Sequence, residues 1–268
     1  MYSKFSDFIF AVTSKENFVA IVIAFLRIKS FPQILLNIIF NKNYTWKNKI
    51  IKIKYKRKII NIKIRTKHDI ATILGVFCRL DYKVPEYSEK FLDIGSNIGI
   101  SLIYFLKRSS KGYCFAVEPN PENIIYLKEN LKINNLDERV KIHEGVLLSP
   151  NELTENSKFK EFYIEQTGKF GSIKSSNKKE DRKIIVKTFD INLLINDLFK
   201  SNNSFNVIKV DTEGNEDNII RSINQDNWNK INFLYSENSN TENYLPRTHQ
   251  RFFRYNVELI KKINTSNL

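Results

Sequence analysis

From Phe91 onward, apolar and polar positions fall into short blocks whose period keeps changing. "FLDI" (91–94), "YCFAVE" (113–118), "VKIHEGVLL" (140–148), Ile184 to Phe189, "FNVIKV" (205–210) and "INFLYSE" (231–237) are brief runs rich in β-branched and aromatic residues, which predicts strands. Between them the spacing turns helical, at Ile98 to Leu106, in "PENIIYLKENLKINN", in "INLLINDLF" and in "EDNIIRSI". Pro121 sits in a first turn behind Asn120 as cap, and Asp190 opens the third of these helices. Strand and helix alternating in this way predict an α/β fold, a mostly parallel sheet with helices on both faces.

Before Phe91 the grammar differs. "FVAIVIAFL" (18–26) and "FPQILLNIIF" (31–40) are apolar and helical, and the first is far short of the ~20 residues of a membrane span. A packed cap on the main domain is the expected fate of both, with an interfacial amphipathic helix as the alternative. Asp7 and Glu16 in the first segment argue against a signal peptide. Lys47 to Lys67 alternates isoleucine with lysine and reads as a hairpin, and Asp69 to Tyr82 has helical spacing. The expected division is residues 1–85 as a basic helical and hairpin cap, and 86–268 as the main domain. Near the C-terminus "THQRFFRY" reads as helical and only "VELIKKI" (257–263) as a strand.

In a sheet of this class, ligands lie beyond the carboxyl ends of the strands. The predicted strand tips carry Asp93, Glu118, Asp211 with Glu213, and Glu237. The chain has only 8 glycines, yet Gly95 and Gly99 bracket the turn in "FLDIGSNIG". Bare backbone there would let a ligand approach the N–H groups of the following helix. Glu118 at the second tip is placed to accept hydrogen bonds from a ribose. A dinucleotide would bring its diphosphate against Asp93, whereas a sulfonium with an ammonium suits an acidic rim. That electrostatic argument favours S-adenosylmethionine over NAD, and disfavours a nucleotide-sugar oxidoreductase.

Composition changes this picture only at the N-terminus. The net charge of +14 is concentrated in residues 1–70, where 15 Lys or Arg face Asp7, Glu16 and Asp69. Lys47 to Lys67 holds ten basic residues and no acid, read either as a solvated hairpin face or as a patch for an anionic membrane, lipid or acidic glycan. Cys78 and Cys114 with three scattered histidines offer no disulfide framework and no metal-ligand spacing, so no metal is expected and the cysteines read as buried small hydrophobes. A reducing, cytoplasmic setting follows, with membrane-peripheral association as an option.

"FLDIGSNIG", "VEPNPENIIYLKENLKIN", "VKTFDINLL" and "NVIKVDTEGNE" together resemble the successive signatures of FkbM-type methyltransferases, over about Phe91 to Glu237. These are S-adenosylmethionine-dependent O-methyltransferases of sugar, polysaccharide and natural-product pathways. The resemblance implies a three-layer Rossmann-like methyltransferase fold and a sugar, glycan or small-molecule hydroxyl as acceptor. It implies donor binding by Asp93, Gly95, Asn97, Gly99, Glu118 and Asn120, with Gly145 and Val146 lining the adenine. Asp211 and Glu213 would face the methyl group, either one positioning and deprotonating the hydroxyl. Ser172 and Glu237 are weaker acceptor-side candidates, and Lys209 is expected to pair with a rim acid. The family's closing hairpin reads as shortened here, which raises the prospect of homodimer contacts at that edge. The alternatives are an RNA methyltransferase, disfavoured because the tip reads "DTEG" rather than Pro-Pro-aromatic, and a non-catalytic nucleoside-binding relative.

Overall fold

The computed structural model describes residues 15–41, 43–148, 158–165, 171–172, 182–200, 204–212, 214–237, 239, 241, 244–254 and 257–263. Two helices, α1 (Lys15–Arg27) and α2 (Phe31–Phe40), precede a hairpin of β1 (Ile50–Tyr55) and β2 (Lys58–Lys63). The next helix, α3 (His68–Ile73), continues into a wider π-helical turn over Leu74–Arg79, which Leu80 ends with a left-handed φ of 61°. The helical spacing expected over Asp69 to Tyr82 is thus realised as far as Arg79, its second half as a π turn, and Leu80 to Tyr82 leave the helix.

The predicted alternation then follows: β3 (Lys90–Ile94), α4 (Ile100–Arg108), β4 (Tyr113–Glu118), α5 (Pro121–Ile133) and β5 (Val140–Leu148). Next come β6 (Phe159–Ile164), β7 (Gly171–Ser172), β8 (Arg182–Asp190), α6 (Ile191–Leu198), β9 (Asn206–Val210), α7 (Glu216–Arg221) and α8 (Gln225–Trp228). β10 (Phe233–Glu237), β11 (His249–Arg254) and β12 (Val257–Lys262) complete the chain's described elements. The caps form as expected: Asn120 accepts from the N–H of Glu122 at 3.0 Å, and Asp190 from that of Asn192 at 2.6 Å.

The large sheet runs β11-β12-β10-β9-β3-β4-β5-β8-β6-β7. Its centre, from β10 to β8, is parallel, and both ends are antiparallel. Alternate residues of a strand go to opposite faces. Phe91 and Val207 pack toward α4 and α5, while Leu92 and Ile208 pack toward α6 and α7. Two layers of helix around one parallel sheet make the fold α/β and Rossmann-like. The N-terminal helices and hairpin join the first of these cores, with Ile28, Ile53 and Ile62 fully buried in the same cluster as Tyr104 and Leu127.

One expectation is overturned. "THQRFFRY" is not helical: His249–Arg254 is strand β11, antiparallel to β12, which itself pairs with β10. The closing hairpin is therefore present. Its aromatic pair suits an edge strand, with Phe252 and Phe253 left exposed.

Candidate functional site

Strand order reverses between β3 and β9, since β3 continues to β4 on one side and meets β9 on the other. Such a switch point opens a crevice at the strand tips. Asp93 and Lys209 are direct partners in the register there, on the face that looks toward α4. Beyond them lies a cavity of about 220 Å³. Its floor is the turn from Gly95 to Ser101; its walls include Lys209, Asp211 and Glu237; its roof is the α3 and π-turn segment with Arg79, Asp81 and Tyr82.

The turn after β3 is held by its own hydrogen bonds. The N–H groups of Gly95 and Ser96 both donate to Val117 O, at 3.0 and 3.1 Å, and that of Asn97 donates to Glu118 Oε2 at 2.8 Å. Gly95, Asn97 and Gly99 all have positive φ (75°, 48° and 88°). A Cβ on Gly95 would sit 1.8 Å from the carbonyl oxygen of Asp211, and one on Gly99 would sit 2.6 Å from Leu127 Cδ1. The two glycines thus answer first to the left-handed backbone and to neighbouring protein atoms. What the turn offers a ligand is the start of α4: the first-turn N–H groups at Ile100 to Leu102 have no intrahelical acceptor, and Ile100 and Ser101 line the cavity.

Asp93 is fully buried. Its Oδ2 accepts from Ser101 Oγ at 2.7 Å, and its Oδ1 lies 3.3 Å from Lys209 Nζ without a well-directed hydrogen bond. Lys209 also donates to Gly95 O at 2.8 Å and reaches Asp211 Oδ2 at 3.4 Å. The predicted pairing of Lys209 with a rim acid is therefore present, with two acids. Burial raises the Asp93 carboxyl, opposed by Lys209 and Ser101. Burial would lower Lys209, but Asp93, Asp211 and Glu237 together outweigh it and raise the ammonium. Three carboxylates share one cation, so a proton added to the cluster goes onto a carboxylate.

Glu237 accepts from the Tyr82 hydroxyl, its carboxyl raised by burial and then by Asp211. Burial likewise drives the Tyr82 phenol well above its usual range, helped by Asp211 and Glu237. Overhead, Arg79 grips Asp81 in a fork, Nε to Oδ1 and Nη2 to Oδ2, both at 2.7 Å, and its Nη1 donates to Asn17 Oδ1 of α1. Asp69, also lining the cavity, accepts from the N–H groups of Arg65 and Thr66 at 2.7 Å.

Asp93, Gly95, Asn97, Asp211 and Glu237 are brought together around the cavity, Asp93 from behind. Glu118 joins them through Asn97; its Oε1 accepts from Asn120 N at 2.9 Å and from Asn123 Nδ2 at 3.0 Å. Burial raises its carboxyl against those bonds. Gly145 and Val146 stand apart. A Cβ on Gly145 would be 2.2 Å from Lys187 O of β8, and Val146 packs with Phe162, Ile164 and Val186. Glu213 and the side chain of Ser172 lie outside the described residues; the backbone of Ser172 pairs with Tyr163 in β7. Cys78 and Cys114 are free and buried, as read from the sequence. Among the described residues there is no His, Cys, Asp and Glu grouping fit to hold a metal ion.

Sequence reading missed the roof and one organiser of the loop after β9. Glu216 accepts from Thr212 N at 2.6 Å and from Gly214 N at 2.9 Å, tying those two residues to the start of α7. The available signal was "CRLDY", opposite charges two residues apart inside an apolar helical run.

Among solved structures, the FkbM methyltransferase of Methylobacillus flagellatus KT is similar over 73% of this chain and 54% of its own, at 14% identity and a TM-score of 0.42. An RNA methyltransferase from Salinibacter ruber, in complex with S-adenosyl-L-homocysteine, matches over 74% and 92%, at 9% identity and a TM-score of 0.35. P. horikoshii TYW2 in complex with MeSAdo matches over 37% and 36%, at 16% identity and a TM-score of 0.26, so the chain spans little more than a third of that protein. No curated protein matches in sequence. The model of the methyltransferase FkbM domain matches residues 93–258, more than half of the chain and every strand tip described above. This protein belongs to the FkbM methyltransferase family.

Proposed function

We propose that this protein is an S-adenosylmethionine-dependent O-methyltransferase acting on a hydroxyl of a sugar, glycan or related small molecule. The observation that carries the reading is the two-sided lining of the cavity. Unpaired N–H groups at the start of α4 suit the donor's carboxylate, and Asp211 and Glu237 across from them suit its ammonium and sulfonium. Glu118 has three N–H partners for about four acceptor positions, which leaves capacity for a ribose hydroxyl. Since Glu118 pairs with Glu144, Gly145 and Val146 lie just past the tip of β4, along the edge an adenine would follow. When bound, the donor supplies a methyl carbon on a cationic sulfur, open to displacement by an oxygen.

The chain's own part is alignment and proton removal. Asp211, partly exposed in the cavity wall, takes the proton of the acceptor hydroxyl on a side-chain oxygen. Lys209 holds that carboxylate in place while being anchored to Asp93 and Gly95. Glu237 and Tyr82 bind the acceptor's neighbouring hydroxyls. Glu213 is the second proposed acid at this tip. The acid-rich walls disfavour a phosphate-rich polymer as acceptor.

Calorimetric titration is expected to show S-adenosylmethionine binding and none of NAD; the reverse result overturns the reading. With a panel of sugar and polyol acceptors, Asp211→Asn is expected to lower kcat at saturating donor by about 10²-fold or more, the usual worth of a general base, beyond the weaker donor binding that losing one acid of the rim brings. Full transfer activity in both Asp211→Asn and Glu213→Gln would remove the proposed base.

A further inference from the structure

Helices α1 and α2 turn one face into the core and leave the other uncovered. Ala20, Ala24 and Ile28 point inward, as do Phe31 and Ile34. The opposite side of α1 carries Phe18, Val22, Phe25 and Leu26, and α2 adds Leu36 and Phe40, all exposed. Leu26 is 77% exposed and Phe40 76%. A surface helix of a globular domain normally turns polar residues outward, so these two have their outer faces inverted.

Charge says what covers them. From Asn17 to His68 there are thirteen Lys or Arg and no Asp or Glu. The outer face of β1 presents Ile50, Lys52 and Lys54, with Ile59 of β2 across from Lys54. Arg27 lies over the Tyr55 ring at 5.4 Å, which sets the end of α1 beside the end of β1 and its turn, Lys56 to Lys58. Glu86 pairs with Lys56, Glu129 with Lys63 and Glu122 with Arg65, while Lys52 and Lys54 face outward beside the exposed apolar side chains. That combination matches the boundary of an anionic bilayer, where chains enter the acyl edge and ammonium groups meet lipid phosphates. A soluble acidic glycan would use the lysines and leave Leu26 and Phe40 without a role.

We infer that α1, α2 and the β1–β2 hairpin seat this protein on the surface of an anionic lipid bilayer. Among the described residues no helix is long and apolar enough to cross a membrane, so the seating is in the interface. The docking face is continuous with the cavity roof: Arg27 donates to Phe77 O, and Arg79, which lines the cavity, donates to Asn17 of α1.

The test is flotation of the full chain with phosphatidylcholine vesicles, with and without phosphatidylglycerol. Binding is expected only with the anionic lipid, weakening as salt is added. The pair Leu26→Glu and Phe40→Glu, at positions already mostly in solvent, is expected to lower affinity about tenfold or more with an unchanged circular dichroism spectrum, and Lys52→Glu with Lys54→Glu to do the same. Absence of binding to anionic vesicles overturns the inference, as does undiminished binding by the Leu26 and Phe40 variant. Two other results also overturn it: a dimer of the full chain that this variant converts to monomer, which makes a second copy the cover, or vesicle binding that appears only after residues 1–14 are removed, which makes those residues the cover.

Discussion

The sheet edge and the N-terminal hairpin place lysine in opposite surroundings. Lys209 is buried in a central strand and held by Asp93, Asp211 and Gly95 O. Lys52 and Lys54 project into solvent from β1, in a stretch with no acid. A buried ion pair contributes little net stability, yet removing one member leaves an uncompensated charge in low dielectric. An exposed lysine costs nothing to remove and acts only through the summed field it shares with its neighbours. The same side chain thus fixes geometry in one region and sets long-range attraction in the other.

Breaking the inner arrangement gives the largest effect. Lys209→Met is expected to lower unfolding stability by about 3–5 kcal/mol, because Asp93 stays fully buried with Ser101 as its remaining side-chain donor. Urea unfolding measures it. Adding Asp93→Asn should recover much of the loss, since the amide has no charge to compensate; a double variant as unstable as the two losses added together would show that packing, not charge, holds this pair.

The two regions also differed in how far they could be read from sequence. Around the site, period and turn chemistry agree: "FLDIGSNIG" combines a buried strand, a glycine turn and a helix start, and Asn120 with Pro121 marks the next helix unambiguously. The acids at the tips followed from strand direction alone. The roof did not, because Arg79, Asp81 and Tyr82 reach the cavity only through the π turn and the left-handed Leu80, and the opposite charges of "CRLDY" mark a pair without announcing the extra residue in the helical turn that aims it. Strand β11 was illegible for a related reason. Its order comes from pairing with β12, a tertiary partner that overrides the local composition of "THQRFFRY". At the N-terminus the helices and hairpin were legible, but not which face of α1 is left uncovered, since that face is as apolar as the buried one.

A smaller effect probes the site's carboxylates through pH. Glu237 is raised above its ordinary value of 4.5, by burial first and then by Asp211. Between that ordinary value and the raised one, the folded chain holds a proton that the unfolded chain has lost. Stability therefore falls as pH rises through this window. Glu237→Gln carries no such proton, so its stability relative to the native chain is expected to improve from about pH 4 to about pH 7, read as a shift in urea midpoint at each pH. A difference that stays flat across that range would mean Glu237 is solvated like the exposed acids of the outer surface, and the contrast between the regions would shrink.

The smallest effect is expected at the hairpin, and it separates fold from surface most cleanly. Lys52→Ala and Lys54→Ala each remove a charge that faces water on the outer side of β1, opposite Asn61 and Ile59. The inner side, Ile51, Ile53 and Tyr55, keeps its place in the core. Each change should alter stability by no more than about 0.5 kcal/mol, because nothing buried loses a partner. Removing like charges from a crowded basic face should even raise the thermal midpoint slightly at low salt, with the gain vanishing as salt screens the remaining repulsion. Thermal melts of the paired variant at low and high salt read both terms. A large salt-independent loss would place these lysines among the residues that hold the fold, as Lys209 does, and the distinction between a lysine that builds the site and one that addresses a surface would fail.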